Sequence, residues 1–362
     1  MSVPMNDLSR AIARDRDALN AAVKSVLDSG FVVMGPQHDA FQSALADYLS
    51  IPFAIGVASG TDALELAIKI AMPLGKCAVL TAANAGGYTS AAARRVGFNV
   101  YYADVDPASL CLSLATVEAA LTDEIGVVVI THLYGNLTEI RSLVEICHSR
   151  GVRVVEDCAQ AIGARRHEGA AGAFGDLGAI SFYPTKNLGA LGDGGAVVTR
   201  SAEFAARVTQ LKQYGWESKY RVSIPGGVNS RLDEIQAAFL LARLPQLDTL
   251  NLRRRLIIRR YVEAAAGGPL HVLPADGPHH AAHLAVALSP HRDETRDQLA
   301  RLGVHTDVHF PVPDYRQPGF ESDSPRLAVT EWATDQILSL PCFPELTDDE
   351  VDFVCDAIGS IS

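Results

Sequence analysis

Apolar positions along this chain fall into two spacings. Over residues 8–29 and 37–49 they recur every three or four positions, and each stretch ends on a breaker, Ser29-Gly30 and Ser50-Ile51-Pro52. That spacing lays one apolar stripe along a helix. From Phe53 the pattern changes to short Val/Ile/Ala-rich runs: Phe53 to Ala58, Cys77 to Ala82, Asn99 to Asp104, Gly126 to Thr131, Val152 to Glu156 and Leu177 to Phe182. These read as strands. Helical spacing returns between them, after Ser59-Gly60-Thr61-Asp62-Ala63-Leu64 and over about 88–96, 113–121 and 138–150. Buried strands alternating with helices predict an α/β fold with a mostly parallel sheet flanked by helices. In such sheets ligands sit beyond the carboxyl ends of the strands.

The pattern then shifts. A helix is expected from Ser230 to about Leu244, and another carries Arg253, Arg254, Arg255, Arg259 and Arg260 interleaved with Leu252, Leu256, Ile257 and Ile258. This reads as an amphipathic helix with a solvated arginine face rather than a nucleic-acid surface. Ala264-Ala265-Ala266-Gly267-Gly268-Pro269 breaks it. Beyond lie an expected strand (His283 to Leu288), a helix (Glu294 to Leu302), a strand (Val304 to Phe310) and helices near 327–338 and 348–358. The division expected is an N-terminal helical segment (1–30) packed on a smaller domain, a large ligand-binding domain (31–244) and a smaller α/β C-terminal domain (245–362).

Composition narrows the partners. With 362 residues, 48% hydrophobic and 20% charged, the chain is long enough for two cores. Its net charge of −11 disfavours nucleic acid and anionic membranes as partners. The N-terminus lacks the basic and apolar regions of a signal peptide, no apolar run reaches membrane-spanning length, and the six cysteines show no CxxC pair. A cytoplasmic protein with reduced thiols is expected.

The candidate chemistry gathers around Ser181-Phe182-Tyr183-Pro184-Thr185-Lys186, which runs into the glycines of 189–195. A lysine between a strand end and a glycine loop is placed to meet a ligand, and such amines form Schiff bases with carbonyl compounds, pyridoxal phosphate included. Ser59-Gly60-Thr61-Asp62 opens a helix and can cradle a phosphate, although plain helix capping explains it too. Asp157, directly after a buried strand, needs a cationic partner, which a protonated pyridine nitrogen supplies. Gln160 can meet a ring hydroxyl, and Ser181 can complete the phosphate site. The glycines lack GxGxxG spacing, and His279, His280, His283, His305 and His309 lack carboxylate or cysteine partners at ligand spacing. No dinucleotide or metal site is therefore expected.

Taken together, these motifs resemble the DegT/DnrJ/EryC1/StrS family of sugar aminotransferases, enzymes of the type I pyridoxal-phosphate fold. The likeness rests on residues 59–64, His132-Leu133-Tyr134-Gly135, Glu156–Gln160, Ser181–Ala196, Asn229–Ala238, His280–Leu284 and His309–Pro318. It implies that Lys186 carries the cofactor and shuttles the proton. It also implies that Asp157 pairs with the pyridine nitrogen, Gln160 with the ring hydroxyl, and Gly60, Thr61 and Ser181 with the phosphate. Asn229 corresponds to the residue that reaches the phosphate of the neighbouring subunit, so a homodimer with a composite active site is expected. Tyr88 is the nearest aromatic to the position from which an aromatic stacks on the ring, displaced by about two residues. Tyr183, His309 and Tyr315 (where many members have histidine) are expected on the substrate side, with Lys219, Tyr220 and Arg221 as sugar-nucleotide contacts. Lys186 argues against the dehydrases of the family, which carry histidine there. The expected reaction moves an amino group from L-glutamate to a nucleotide-linked keto-sugar, a dTDP-3-keto-6-deoxyhexose by closest likeness. A 4-keto sugar or a non-catalytic, cofactor-binding regulator is the alternative.

Overall fold

The computed structural model describes residues 1–320 and 326–361. The expected smaller domain therefore includes five internal residues and the final serine that lie outside the description. Two helices, α1 (Leu8–Ser29) and α2 (Pro36–Leu49), precede the sheet, with Asp7 capping α1 and Pro36 opening α2. The chain then alternates: β1 (Phe53–Val57), α3 (Gly60–Ala71), β2 (Ala78–Ala82), α4 (Tyr88–Arg95), β3 (Asn99–Ala103), α5 (Leu114–Ala120), β4 (Ile125–Thr131), α6 (Arg141–Ser149) and β5 (Arg153–Asp157). A small hairpin, β6 (Arg165–Arg166) and β7 (Gly169–Ala170), leads to β8 (Leu177–Ser181), β9 (Gly195–Thr199) and α7 (Ala202–Leu211).

Seven of these strands form one sheet in the order β1-β9-β8-β5-β4-β2-β3. Its pairs are parallel from β8 through β3, and β9 runs antiparallel between β8 and β1. Alternate residues of β4 feed opposite cores. Val128 and Ile130 join Phe41, Leu45 and Leu240 on one face, while Val127 and Val129 join Leu64 and Ile68 on the other. Each such fully buried side chain contributes about 1.5–3 kcal/mol, so the sheet is anchored from both sides.

After a second hairpin, β10 (Trp216–Ser218) and β11 (Arg221–Val222), come α8 (Glu234–Arg243) and the long α9 (Leu247–Ala264). The remainder contains β12 (His271–Val272), β13 (Ala285–Leu288), α10 (Arg292–Arg301), α11 (Ala328–Gln336), β14 (Ile337–Leu340) and α12 (Asp348–Gly359). Here β12, β13 and β14 form a separate antiparallel sheet over its own core, which includes Ile257, Tyr261, Leu299, Val351 and, from the N-terminus, Val3.

Several expectations change. Val304 to Phe310 is no strand; it makes single bridges, Val304 to Val3 and Asp307 to Ser339. The third strand is instead Ile337–Leu340, whose first two residues fall at the end of the helix expected near 327–338. Four residues, Ile-Leu-Ser-Leu, are too few to show which period they follow. The helix expected from Ser230 begins at Glu234, whose carboxylate accepts the N–H groups of Gly35, Gln37 and His38. The arginine face of α9 is solvated in part, with Arg259 exposed and Arg253 and Arg260 partly so. Arg254 is buried, donating to the carbonyls of Cys342 and His283, and Arg253, Arg259 and Arg260 pair with Asp348, Asp276 and Asp352.

The N-terminal helix also does more than pack on the C-terminal part. Arg10 and Arg14 reach Glu350 and Glu345 there. On its other side α1 lies along α8, where buried Asp15 pairs with Arg243 at 2.9 Å. Arg243 in turn donates to the carbonyl of Gly189 at 2.6 Å, so α1 helps to hold the glycine loop.

Candidate active site

The sheet register assembles the site before any loop is considered. Thr131 lies opposite Asp157 at the carboxyl ends of β4 and β5, and Asp157 lies opposite Ala179, two residues before the end of β8. Next along the edge Ser181 lies opposite Gly195, and Gly195 opposite Val57. Beyond this edge opens a cavity of about 490 Å³. Among the sequence-predicted residues, Gly60, Thr61, Tyr88, Asp157, Gln160, Ser181, Tyr183, Lys186 and His309 all line it.

At one end α3 presents its N-terminus. The Ser59 hydroxyl takes the N–H of Asp62, and its carbonyl takes that of Ala63. Among the described residues, the N–H groups of Gly60 and Thr61 are left as free donors, the arrangement that attracts an anion. Gly60 is required by closeness, because a Cβ there would stand 2.5 Å from that of Ser181. The serine hydroxyl thereby sits against the helix start.

Asp157 is buried at the sheet edge. Burial pushes its carboxyl up from the ordinary range, against the pull of the Ala159 N–H at 3.1 Å, the amine of Lys186, His132 and the Thr131 hydroxyl at 3.3 Å. A carboxylate so placed gains from a further cation in the cavity. Its neighbour Glu156 turns to the other face, where its oxygens take the N–H groups of Gly172, Phe174 and Gly175 and meet His132 Nε2 at 2.9 Å. That network, joined by the bond from the His132 N–H to the Asp157 carbonyl, fixes the strand end. Gln160 is fixed in polarity: its Oε1 accepts the N–H of Tyr134 at 2.6 Å, so its amide N–H groups are the ones free to donate. Lys186 stands in a turn closed by its own N–H to the Tyr183 carbonyl, and burial lowers the proton affinity of its amine while Asp157 raises it.

The expected aromatic is arranged differently. Tyr88 is half exposed and meets Phe310 edge-on, with ring centroids 6.0 Å apart. Gly86, in the left-handed region at φ +78, leaves the space into which Phe310 leans: a Cβ on it would lie 2.9 Å from that ring. Tyr315 is not among the residues that line the cavity; its hydroxyl donates to Glu331 at 2.9 Å. Lys219, Tyr220 and Arg221 ride on the exposed β10–β11 hairpin, away from this chain's own cavity. Asn229 lines a neighbouring open recess that shares Ser59 and Asp193 with the main one. Thr131, Asp193, His283 and Phe310 are among the other residues of the wall, and none is a site residue in the sequence reading. Their only signal was membership of the stretches around HLYG, the glycine loop, HAAHL and HFP.

A titratable clamp backs the wall. Asp314 donates its N–H to the Ala83 carbonyl and accepts the Ser90 hydroxyl at 2.5 Å. Burial raises its carboxyl from 3.8 to about 6, although Ser90, the Gly87 N–H and Arg94 pull the other way. A raised acid stabilises the fold fully below its unfolded value, and that contribution disappears as pH rises through about 6. Asp314→Asn is therefore expected to be more stable than the parent at pH 8, by about 1–3 kcal/mol, with the advantage gone near pH 4. Urea melts at the two pH values measure this, and equal destabilisation at both would refute it.

An anion site, a buried carboxylate seeking a cation, an oriented amide donor and an amine fit pyridoxal phosphate, whose ends need these groups. A model of the DegT/DnrJ/EryC1/StrS aminotransferase family matches residues 13–359. The dTDP-3-amino-3,4,6-trideoxy-alpha-D-glucose transaminase of Micromonospora megalomicea subsp. nigra is 37% identical over 358 residues, 96% of either chain. S. venezuelae DesV, solved in complex with a ketimine intermediate, superposes with a TM-score of 0.94 at 35% identity, covering 99% of this chain and 98% of that one. The ntda protein of Bacillus subtilis, with bound cofactor pmp, superposes at 0.91 with 27% identity, covering 99% and 84%.

Proposed function

The chain belongs to the DegT/DnrJ/EryC1/StrS aminotransferase family and is a pyridoxal-phosphate-dependent transaminase, and from that premise we propose its substrates and the work of its residues. It moves an amino group from L-glutamate to a nucleotide-linked keto-sugar, specifically a dTDP-3-keto-6-deoxyhexose. The observation that carries this reading is the near full-length likeness to a dTDP-3-amino-sugar transaminase, in a chain whose cavity gathers lysine, carboxylate and anion site.

The cofactor, when bound, supplies the electron sink for breaking the bond between the substrate's carbon and its hydrogen. Lys186 would hold it through its amine and, when free, would take and return a proton at its Nζ. Asp157 would pair with the pyridine nitrogen, whose positive charge would offset the carboxyl's burial. Gln160 donates to the ring oxygen. The N–H groups of Gly60 and Thr61 and the Ser181 hydroxyl take the phosphate, and Tyr88 borders the ring together with Phe310. Tyr183 and His309 face the sugar.

Asn229 completes the phosphate site of a second copy, making a homodimer with composite sites. The exposed apolar Phe31, Val32 and Val228, the last beside Asn229, support a covered face there. In that dimer Lys219, Tyr220 and Arg221 reach the nucleotide of the opposite site. Residues 31–244 form the cofactor-binding domain and 245–362 the smaller one. No helix among the described residues is long and apolar enough to cross a membrane, and the six cysteines are unpaired, which accords with work in the cytoplasm.

The test offers the purified holoenzyme L-glutamate with a 3-keto or a 4-keto dTDP-6-deoxyhexose and follows 2-oxoglutarate and the aminated sugar. Turnover of the 3-keto sugar is expected. Turnover of the 4-keto sugar alone would overturn the sugar, and failure of glutamate with either would overturn the donor.

A further inference from the structure

We propose that Tyr134 is a positioning residue for the sugar half of the reaction: its backbone orients Gln160, and its side chain holds the His309 wall in place beside that amide. The inference rests on the reading above, in which Gln160 meets the cofactor ring and His309 faces the sugar. Tyr134 is not among the residues that line the cavity, so it acts through these two.

Tyr134 lies in the short turn Leu133–Gly135 that follows β4, and it takes φ +62 and ψ 1. The left-handed region is disfavoured for a bulky L-residue, and such a residue persists where its surroundings over-determine it. Three bonds do so here. The Tyr134 N–H goes to Gln160 Oε1 at 2.6 Å, and its carbonyl takes the N–H of His283 at 3.0 Å. Its hydroxyl lies 3.0 Å from the carbonyl of His309, which can only accept, so the hydroxyl donates. Glycine would take this backbone shape more readily, but it would hold nothing at His309.

The ring is buried in a cluster with Leu110, Leu133 and Val286, against which Val308 and Phe310 also pack. A side chain packed this way keeps one rotamer, so its N–H and its hydroxyl stand a fixed span apart. The two groups at the ends of that span come from different parts of the fold. Gln160 follows β5 of the large sheet. His309 belongs to a stretch sewn to the C-terminal sheet: Asp307 and Ser339 exchange backbone bonds at 3.2 and 2.8 Å, and His309 Nδ1 meets the Ser339 hydroxyl at 2.9 Å.

The Tyr134–His309 bond therefore joins the cofactor side to the substrate side, one residue before Phe310, which lines the cavity together with His309. Further along, the Asp314 N–H is tied to the carbonyl of Ala83, just after β2, at 2.8 Å. The stretch from His309 to Asp314 is thus fastened to the large sheet at both ends. Without the first tie His309 keeps its bonds to Ser339 and loses its hold on the cofactor side. Gln160 is unaffected by that loss, because its own bond is to the backbone N–H of Tyr134. One oxygen atom separates the two tasks.

The test removes that atom. In Tyr134→Phe, studied as holoenzyme, the half-reaction with the keto-sugar is expected to slow by about 10- to 100-fold, the loss that a displaced reacting partner gives, and the KM for the sugar to rise. The glutamate half-reaction and the visible band of lysine-linked cofactor keep their parent values. Amide hydrogen exchange, followed with and without cofactor, is expected to be faster over residues 304–314 and unchanged over 153–162. An unchanged sugar rate, or equal slowing of both half-reactions, refutes the positioning role. Exchange that is unaltered over 304–314, or faster throughout the molecule, refutes it as well. Exchange needs no substrate, so it decides the tie whichever sugar is used; a parent enzyme inactive toward both keto-sugars would instead refute the substrate reading.

Discussion

Lys186→Ala lowers amino transfer by about 10⁴-fold or more, the upper range for a positioned proton-transfer group. Two separate losses add to this result. The variant has no amine to hold the cofactor by a covalent bond, so the visible band of lysine-linked cofactor is missing from its spectrum. It also has no base beside the substrate carbon. The other candidates in the cavity do not replace it: Asp157 is held at the sheet edge by the Ala159 N–H and Thr131, and His309 is engaged at Nδ1 with Ser339. Added methylamine, which enters such a gap as a free base, is expected to restore part of the proton transfer but not the band. A variant that kept the parent rate would remove the lysine from the mechanism.

Asp157→Asn is expected to cost about 10²- to 10⁴-fold in rate while the protein stays folded. The substitution is nearly isosteric, and the amide oxygen can still accept the Ala159 N–H. It cannot hold a proton on the pyridine nitrogen, because a neutral amide offers no charge to the cation. The unloaded protein has a carboxyl raised by burial, so the change also removes a group that is awkward without cofactor. Without cofactor the variant should therefore match or exceed the parent in thermal melting, and with cofactor it should gain less than the parent does. A parent-like rate would show that the carboxylate is structural only.

The site was more legible in the sequence than the fold that carries it. Lys186, Asp157, Gln160, Ser181 and Gly60 lie at strand ends or helix starts, where a local motif and a chemical need coincide. The strand Ile337–Leu340 had no such help, and neither did Gly195–Thr199 and α7, which follow a glycine loop that hides where regular structure resumes. The roles of Tyr315 and Phe310 were illegible for another reason. Whether an aromatic faces the cavity depends on Glu331 and Gly86, residues distant in sequence that decide which hydroxyl is already used and which space is empty.

The clamp from α1 through Asp15 and Arg243 to the carbonyl of Gly189 sets an order on biosynthesis. The first helix leaves the ribosome before anything it binds. Its partner on α8 follows much later, and Glu345 and Glu350 emerge near the end of the chain. Until α8 is made Asp15 lacks Arg243, and the loop after the lysine lacks one of its ties. The large sheet can form while translation continues, as N-terminal units generally do. A nascent chain stalled before α8 carries the lysine without the tie that runs from α1 through Arg243 to Gly189.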